Sequence, residues 1–382
     1  MAKVNREQIM QETLKRIRDA MPGETVAKYK DYGERADVHC ISTGSLAVDY
    51  VLGGGFPRGR IIDIVGHTSA GKTTLALTAC ACLQKEQPDA NILYVDSECA
   101  IDPKYAKALG VNMDEVYLIQ PDNGEDGYLA AEMFIQSGVA DLVIIDSIAA
   151  MIPKAMFEVE LGEQAQIGMG ARLDSQGIAR LFGVAHKNNT TVILINQWKK
   201  AVKVTAYDRT DGISGNYYQP GGETFKFYLS QMLEVQRVGK VYERDENGIE
   251  QLVSNQTRVR VLKNKIAAPG KEADFFITFG VGVDRTQEAI ELGIQSGAIV
   301  RTGRSLYSVS EAIWDGLEKQ EDDGPEAPRF NGRPKFVEYL RERSDIVDAI
   351  CKSVQKDFLE GRDDDIHVAE GTEVQETAPI VE

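Results

Sequence analysis

The run Gly66-His67-Thr68-Ser69-Ala70-Gly71-Lys72-Thr73, continued by Thr74, constrains this chain more than any other segment. It has the form G-x-x-x-x-G-K-[ST], which carries meaning only between a strand and a helix. Both flanks comply. Ile61-Ile62-Asp63-Ile64-Val65 reads as a buried strand, and Thr74-Leu75-Ala76-Leu77 reads as a helix start. The glycines let the backbone bend tightly and turn its N–H groups toward an anion. The helix adds its positive N-terminus at the same place. Residues 66–74 are therefore read as a cradle for nucleotide phosphates, with Lys72 bridging the terminal phosphates and the Thr73 hydroxyl on Mg2+. A Gly-rich turn with a surface lysine is the plain alternative.

Such a loop needs an acidic partner at a strand end. Leu142-Val143-Ile144-Ile145-Asp146 supplies one, so Asp146 is expected at the same ion as Thr73, through a water. Ile92-Leu93-Tyr94-Val95-Asp96 reads as the strand after the loop's helix and leads to Ser97-Glu98. Ligands bind at the carboxyl ends of strands in open α/β sheets. A carboxylate there can orient a water for in-line attack, so Glu98 is the expected general base. A surface glutamate in a connecting loop is the competing reading. Gln197 ends another apolar strand, Thr191 to Ile195, where an amide can sense the γ-phosphate and pass the signal along the chain.

The segment after Gln197 is unusual. Trp198-Lys199-Lys200-Ala201-Val202-Lys203 opens a Gly/Asp/Tyr-rich stretch that ends at Pro220-Gly221-Gly222. A loop of about 20 residues without structure inside a compact domain is usually functional. Here Lys199, Lys200, Lys203 and Arg209 alternate with Trp198, Tyr207, Tyr217 and Tyr218, a mixture that suits phosphates and stacked bases. A mobile solvated loop remains the alternative. A second Gly-rich loop runs from Glu158 to Gly170.

The 382 residues suffice for two or three domains. Alternating helical and strand-like patterns between 60 and 200 signal a parallel α/β sheet. No apolar run reaches ~18 residues, so no membrane span is expected, and the polar N-terminus is not a secretion signal. The five cysteines are scattered, as expected of reduced thiols in a cytoplasmic protein. A net charge of −16 argues against coating nucleic acid by bulk charge, though not against a local basic loop.

Four parts follow along the chain. Residues 1–35 form a helical unit and oligomerisation linker. Within it Met10, Leu14, Ile17 and Met21 make an apolar stripe that must be buried against something, and Pro22-Gly23 ends the helix. Residues 36–282 form the core, with later strands at 232–235, 257–261 and 275–279. Residues 283–355 form a small C-terminal domain of short helices and turns, with an acidic surface loop from Glu318 to Pro328. Residues 356–382 are an acidic tail expected to be disordered.

Several further runs occur in a familiar order: Ile41-Ser42-Thr43-Gly44-Ser45-Leu46, the phosphate loop, Asp102-Pro103 with Tyr105, Val143 to Ser147, Ile195-Asn196-Gln197, Gly221-Gly222, and Lys263-Asn264-Lys265-Ile266-Ala267-Ala268-Pro269. In this the chain resembles the bacterial RecA recombinases, and its divergent loops resemble a phage-encoded member. The resemblance is strong from about 36 to 310 and weaker at both ends. It implies an α/β fold: a RecA-type ATPase core with a mostly parallel central sheet, a small N-terminal helical unit and a small α+β C-terminal domain. It implies a DNA-dependent ATPase that uses ATP and Mg2+, forms helical filaments on single-stranded DNA, pairs that strand with homologous double-stranded DNA and exchanges strands. A bacterial or phage-infected cytoplasm is the implied setting. Single-strand-binding proteins, mediators and self-cleaving repressors are the further implied partners.

By position the resemblance makes Glu98 the catalytic glutamate and Gln197 the γ-phosphate sensor. Lys263 and Lys265 become the basic pair that reaches a neighbour's ATP. Asp102 and Tyr105 fall on the adenine side, with Phe279 in place of a stacking tyrosine, and Phe227 at a subunit interface. The two loops become DNA-binding loops. Ile167 and Val202 stand as base-separating wedges, Arg172 and Lys199 as backbone contacts, and the Gly221 and Gly222 amides hold phosphate; Lys200 and Lys203 are expected to bind DNA as part of the basic loop. The chain departs from the family pattern in reading Glu163-Gln164-Ala165-Gln166 in the first loop. It also has Trp198 after the Asn-Gln pair and an insertion around 311–328. A hexameric helicase of the same core fold and an ATP-binding recombination mediator are the rival readings. The Lys263–Pro269 run disfavours the first, and intact Glu98, Gln197 and interface lysines disfavour the second.

Overall fold

Continuous apolar runs can be buried on both faces only in the middle of a parallel sheet covered by helices, and that is where these runs lie. A computed structural model describes residues 6–21, 26, 38–158, 168–200, 217–244, 249–320 and 323–360. Ile167, Val202, Lys203 and residues 361–382 lie outside the described residues, whereas residues 356–360 of the expected disordered tail are helical, continuing the last helix.

In chain order the strands are β1 (Cys40–Ile41), β2 (Phe56–Pro57), β3 (Ile61–Gly66), β4 (Asn91–Asp96), β5 (Val116–Ile119), β6 (Ala140–Asp146), β7 (Thr191–Gln197), β8 (Lys199–Lys200), β9 (Tyr217–Tyr218), β10 (Gln231–Arg244), β11 (Glu250–Asn264), β12 (Glu272–Thr278), β13 (Gly282–Val283), β14 (Ile299–Thr302), β15 (Leu306–Val309) and β16 (Arg329–Asn331). The helices are α1 (Arg6–Ala20), α2 (Leu46–Leu52), α3 (Lys72–Glu86), α4 (Pro103–Ala108), α5 (Gly124–Gln136), α6 (Lys154–Phe157), α7 (Met169–Lys187), α8 (Arg285–Ser296), α9 (Glu311–Asp315), α10 (Arg333–Glu342) and α11 (Ser344–Glu360).

Residues 1–39 and 40–382 form two separate units. The first contributes α1, whose apolar stripe is incompletely covered: Met10 and, just past the helix, Met21 are exposed, and Leu14 and Ile17 are partly exposed. In the second unit, nine strands among the described residues form one sheet in the order β13-β12-β11-β10-β3-β7-β6-β4-β5. The run from β10 to β5 is parallel, and the other edge is an antiparallel ladder. The long β10–β11 pair extends well past the apolar stretches 232–235 and 257–261. Its outer half mixes polar residues with apolar ones that are partly exposed, Val238 and Tyr242 among them, so no clear buried face marks it in the sequence.

Alternate residues of each strand feed two apolar clusters, one on each face. Ile62, Ile64, Ile144 and Ile193 join α2, α3 and the C-terminal helices. Ile61, Val65, Val143, Val192 and Leu194 join α5 and α7. The C-terminal elements are continuous with the first cluster through Ile290, Trp314, Phe336 and Ile350. There β14, β15 and β16 make a small antiparallel sheet. The acidic segment between α9 and β16 is tied down by Arg343, which bonds Asp323 at 2.7 Å and Asp345 at 2.8 Å.

Helices α5 and α7 pack unusually closely. A Cβ on Gly177 would lie 2.4 Å from the Tyr128 ring. Beside this contact the Tyr128 hydroxyl donates to Asp174 at 3.0 Å. Burial lifts the Asp174 pKa from 3.8 to about 7, against the Tyr128 bond and the charge of Lys199.

Gly177→Ala should lower stability by about 1–3 kcal/mol, the usual cost of overpacking, read from the urea midpoint. Asp174 keeps its proton in the fold after the unfolded chain has released it, so its contribution to stability falls as pH rises from 3.8 to about 7. Asp174→Asn removes that loss while keeping an acceptor for Tyr128. Relative to the parent it should gain roughly 3 kcal/mol between pH 5 and pH 8. Urea titrations at the two pH values give this difference; a constant one would mean that Asp174 is already ionised in the fold.

Candidate nucleotide site and nucleic-acid interface

The phosphate loop leaves β3 at Gly66 and enters α3 at Lys72. The two glycines are required for different reasons. Gly71 has φ 100°, and any side chain on it would meet Ile277. A Cβ on Gly66 would lie 2.3 Å from the Val235 carbonyl oxygen on β10. Gly71 is also the N-cap of α3 and offers no side-chain cap. The first-turn N–H groups of this helix are thus left for an anion. Lys72 is buried and donates to the carbonyls of Gly66 at 3.1 Å and His67 at 2.8 Å. Burial pulls its pKa down, while Asp146 and Glu98 push it up. A polyanion at the loop would stabilise the charged lysine.

The strand ends supply the acids. Thr73 Oγ1 donates to Asp146 Oδ2 at 2.7 Å, and the Tyr94 hydroxyl donates to the same oxygen at 2.8 Å. Burial raises the pKa of Asp146; the bonds from Thr73 and Tyr94 oppose this, and Glu98 adds to it. Among the described residues no three His, Cys, Asp or Glu side chains converge as a metal cluster. A hydroxyl and one carboxylate fit a hard cation that takes its other ligands from phosphate and water, as Mg2+ does. Glu98 lies past β4, where Ser147 Oγ and Gln197 Nε2 both donate to its Oε1, the latter at 2.7 Å. The fold therefore brings Lys72, Thr73, Asp146, Glu98 and Gln197 to one end of the sheet.

The expected adenine side adjoins this group. Tyr105 on α4 shares a 2.8 Å hydrogen bond with Thr74. Asp102 caps α4, accepting from Lys104 N at 2.9 Å and Tyr105 N at 3.3 Å. Phe279 lies just beyond β12, half-exposed, and lines a cavity of about 510 Å3 with Ser254, Thr278, Arg333 and Arg341.

The described ends of the two Gly-rich loops meet. Arg172 is exposed in the first turn of α7, whose N-cap, Gly168, carries no side-chain cap. Ser175 of the same helix donates to the Gly221 carbonyl at 3.3 Å, and Gly222 abuts Ala171. The loop from 198 to 222 is not structureless at its stem. Lys199 and Lys200 pair with Tyr218 and Tyr217 as an antiparallel ladder, and the side chains of Lys199 and Lys200 are exposed.

Lys263 and Lys265 lie elsewhere. Lys263 Nζ donates to the Lys226 carbonyl, and Lys265 Nζ donates to that of Phe227 at 3.3 Å. Phe227 itself is 75% exposed. Partial burial and the neighbouring charge of Lys265 hold Lys263 below the ordinary lysine range. In the sheet Lys263 pairs with Met232 and Asn264 with Gln231, at the start of β10, whereas Gly66 pairs with Val235 further along it. Across β10, Lys263 thus lies level with the first half of β3, whereas the phosphate loop leaves the far end of β3.

Sequence reasoning missed Tyr94 and Ser147 as partners of the two acids, and the buried polar residues Asp63, Gln219 and Glu234 beneath the second loop. The available signal was a polar residue interrupting an apolar strand, as Asp63 does in Ile-Ile-Asp-Ile-Val.

Comparison with known proteins shows the family. Residues 8–284 match the family model of the RecA N-terminal domain. The chain is 40% identical over 344 residues to the chromosomal protein RecA of Lactococcus lactis subsp. lactis (strain IL1403), covering 89% of this chain and 81% of that protein. It is 36% identical over 361 residues to protein RecA of Psychrobacter cryohalolentis, covering 94% of each. It is 35% identical to protein RecA of Psychrobacter arcticus, covering 98% of this chain and 99% of that one. The chain belongs to the RecA family of DNA recombinases and DNA-dependent ATPases.

Proposed function

We propose that this recombinase builds its working ATPase site between two copies of itself, on single-stranded DNA. One observation carries this reading: Lys263 and Lys265 face away from the phosphate loop of their own chain. Three residues of strand separate the Lys263–Met232 row from the Gly66–Val235 row, about 10 Å along the sheet. The lysines' ammonium groups point further off, toward the segment that enters β10. If they serve a triphosphate, it is one held by a neighbouring protomer. The incompletely covered apolar stripe of α1 supports such packing, as do exposed Tyr117 and Leu118 on edge strand β5 and Leu129 and Met133 on α5.

Within one protomer the loop amides and Lys72 hold the β- and γ-phosphates, while Tyr105 and Asp102 border the base. Thr73 and Asp146 would hold Mg2+, which when bound neutralises charge on the phosphates. Glu98, fixed by Ser147 and Gln197, takes the proton of an attacking water. Gln197 has a second task. Its amide bonds Glu98 in this structure, and drawn toward a γ-phosphate it would move the start of the 198–222 segment. That segment, with Arg172, Lys199, Lys200 and the Gly221–Gly222 turn, would grip single-stranded DNA. Hydrolysis would relax the grip.

Glu98→Gln should bind ATP and DNA but hydrolyse at least about 100-fold more slowly, the low end of a general-base effect, and so form long-lived DNA complexes. Steady-state ATPase and DNA dissociation rates check this, and normal hydrolysis would assign the base elsewhere. Lys72→Ala and Lys263→Ala should each lack DNA-stimulated turnover. Mixed in equal amounts they should recover it at about one junction in four, because identical protomers then place an intact loop beside an intact lysine. Absence of recovery would contradict a shared site.

A further inference from the structure

Beneath the stem of the 199–218 segment, the face of the sheet that meets α5 and α7 carries a row of buried polar side chains. Asp63 on β3, Asn196 on β7 and Glu234 on β10 are each at most 2% exposed. Their hydrogen-bond partners come from the two ends of the segment. At its entry the Trp198 indole N–H donates to Glu234 Oε1 at 3.1 Å. At its exit Gln219 Nε2 donates to Asp63 Oδ2, and Asn196 Nδ2 donates to the Pro220 carbonyl at 3.2 Å. Each acid has an oxygen to spare. Among the described residues Asp63 Oδ1 has no hydrogen-bond partner, and Glu234 Oε2 meets the Arg260 guanidinium at 3.9 Å. A buried acid is costly in an apolar layer unless it holds something in place. What these two hold is the loop stem.

The entry is also joined to the phosphate loop. The Trp198 backbone N–H reaches the Gly66 carbonyl at 3.4 Å, the same oxygen that accepts from Lys72. A lysine drawn onto phosphates would leave that carbonyl, so phosphate occupancy and loop position act on one atom.

We infer that Trp198 and Gln219 are positioning residues. They clamp the two ends of the 199–218 segment onto Glu234 and Asp63, and the clamp couples nucleotide binding to DNA binding. This rests on the proposed role of the segment in gripping DNA. Without the clamp, movement of Gln197 would dissipate in the stem. With it, the stem moves as a unit against the sheet.

The test is the ratio of single-stranded DNA affinities with a non-hydrolysable ATP analogue and with ADP, read by anisotropy of a labelled oligothymidylate. Trp198→Phe, which removes the indole N–H, should leave analogue binding without DNA within about twofold and lower the ratio about tenfold, within the usual range of coupling between sites. Asp63→Asn and Gln219→Glu should each lower the ratio. Combined, they exchange acid and amide and should restore it. A single variant that does not fold leaves the combined variant as the deciding one. A parent ratio near one would overturn the proposed switch and the clamp with it. A high parent ratio kept by Trp198→Phe, or a folded combined variant without restored coupling, would overturn the clamp alone.

Discussion

The Gly66 carbonyl is where the parts of this molecule meet. It closes β3, accepts from Lys72, and accepts from Trp198, the first residue of the stem of the proposed DNA loop. It holds that place because the next strand presses against its own residue: the Val235 carbonyl lies where a Gly66 side chain would begin. Strand packing, more than conformational freedom, requires glycine there. Changing the sheet at this point would move the phosphate cradle and the loop stem together.

Around this point the charged groups are arranged for a ligand rather than for stability. Lys72 is buried with its ammonium turned on backbone carbonyls, and Asp146 is half-buried with its acid held by two hydroxyls. Burial opposes the charged form of each. Such groups are costly alone and are stabilised by the opposite charge that a nucleotide and its cation bring. Glu98 differs. It is aimed by Ser147 and Gln197, so the proposed hydrolytic base and the proposed sensor share a hydrogen bond.

Much of this was legible in the sequence because it lies in local patterns. The β3–loop–α3 unit, the strand ending in Asp146 and the strand leading to Glu98 are contiguous runs whose chemistry follows from order alone. What was not legible depends on contacts between distant segments. Tyr94 looks like one more apolar strand residue until β4 and β6 are paired. Gln219 and Asp63 are 156 residues apart and meet only because β3 lies beneath the loop stem. The β10–β11 ladder runs about three times as far as its apolar stretches, since backbone pairing continues where side-chain patterning stops. The offset of Lys263 from the phosphate loop is likewise a fact of register, invisible in the order of residues.

The central claim is that one protomer's triphosphate is completed by the lysines of the next. Electron microscopy of the protein on single-stranded DNA with a non-hydrolysable ATP analogue addresses it directly. The account predicts an open helical filament with nucleotide density between Lys72 of one protomer and the Lys263–Lys265 pair of its neighbour. Dispersed protomers, closed rings, or nucleotide remote from both lysines would contradict it.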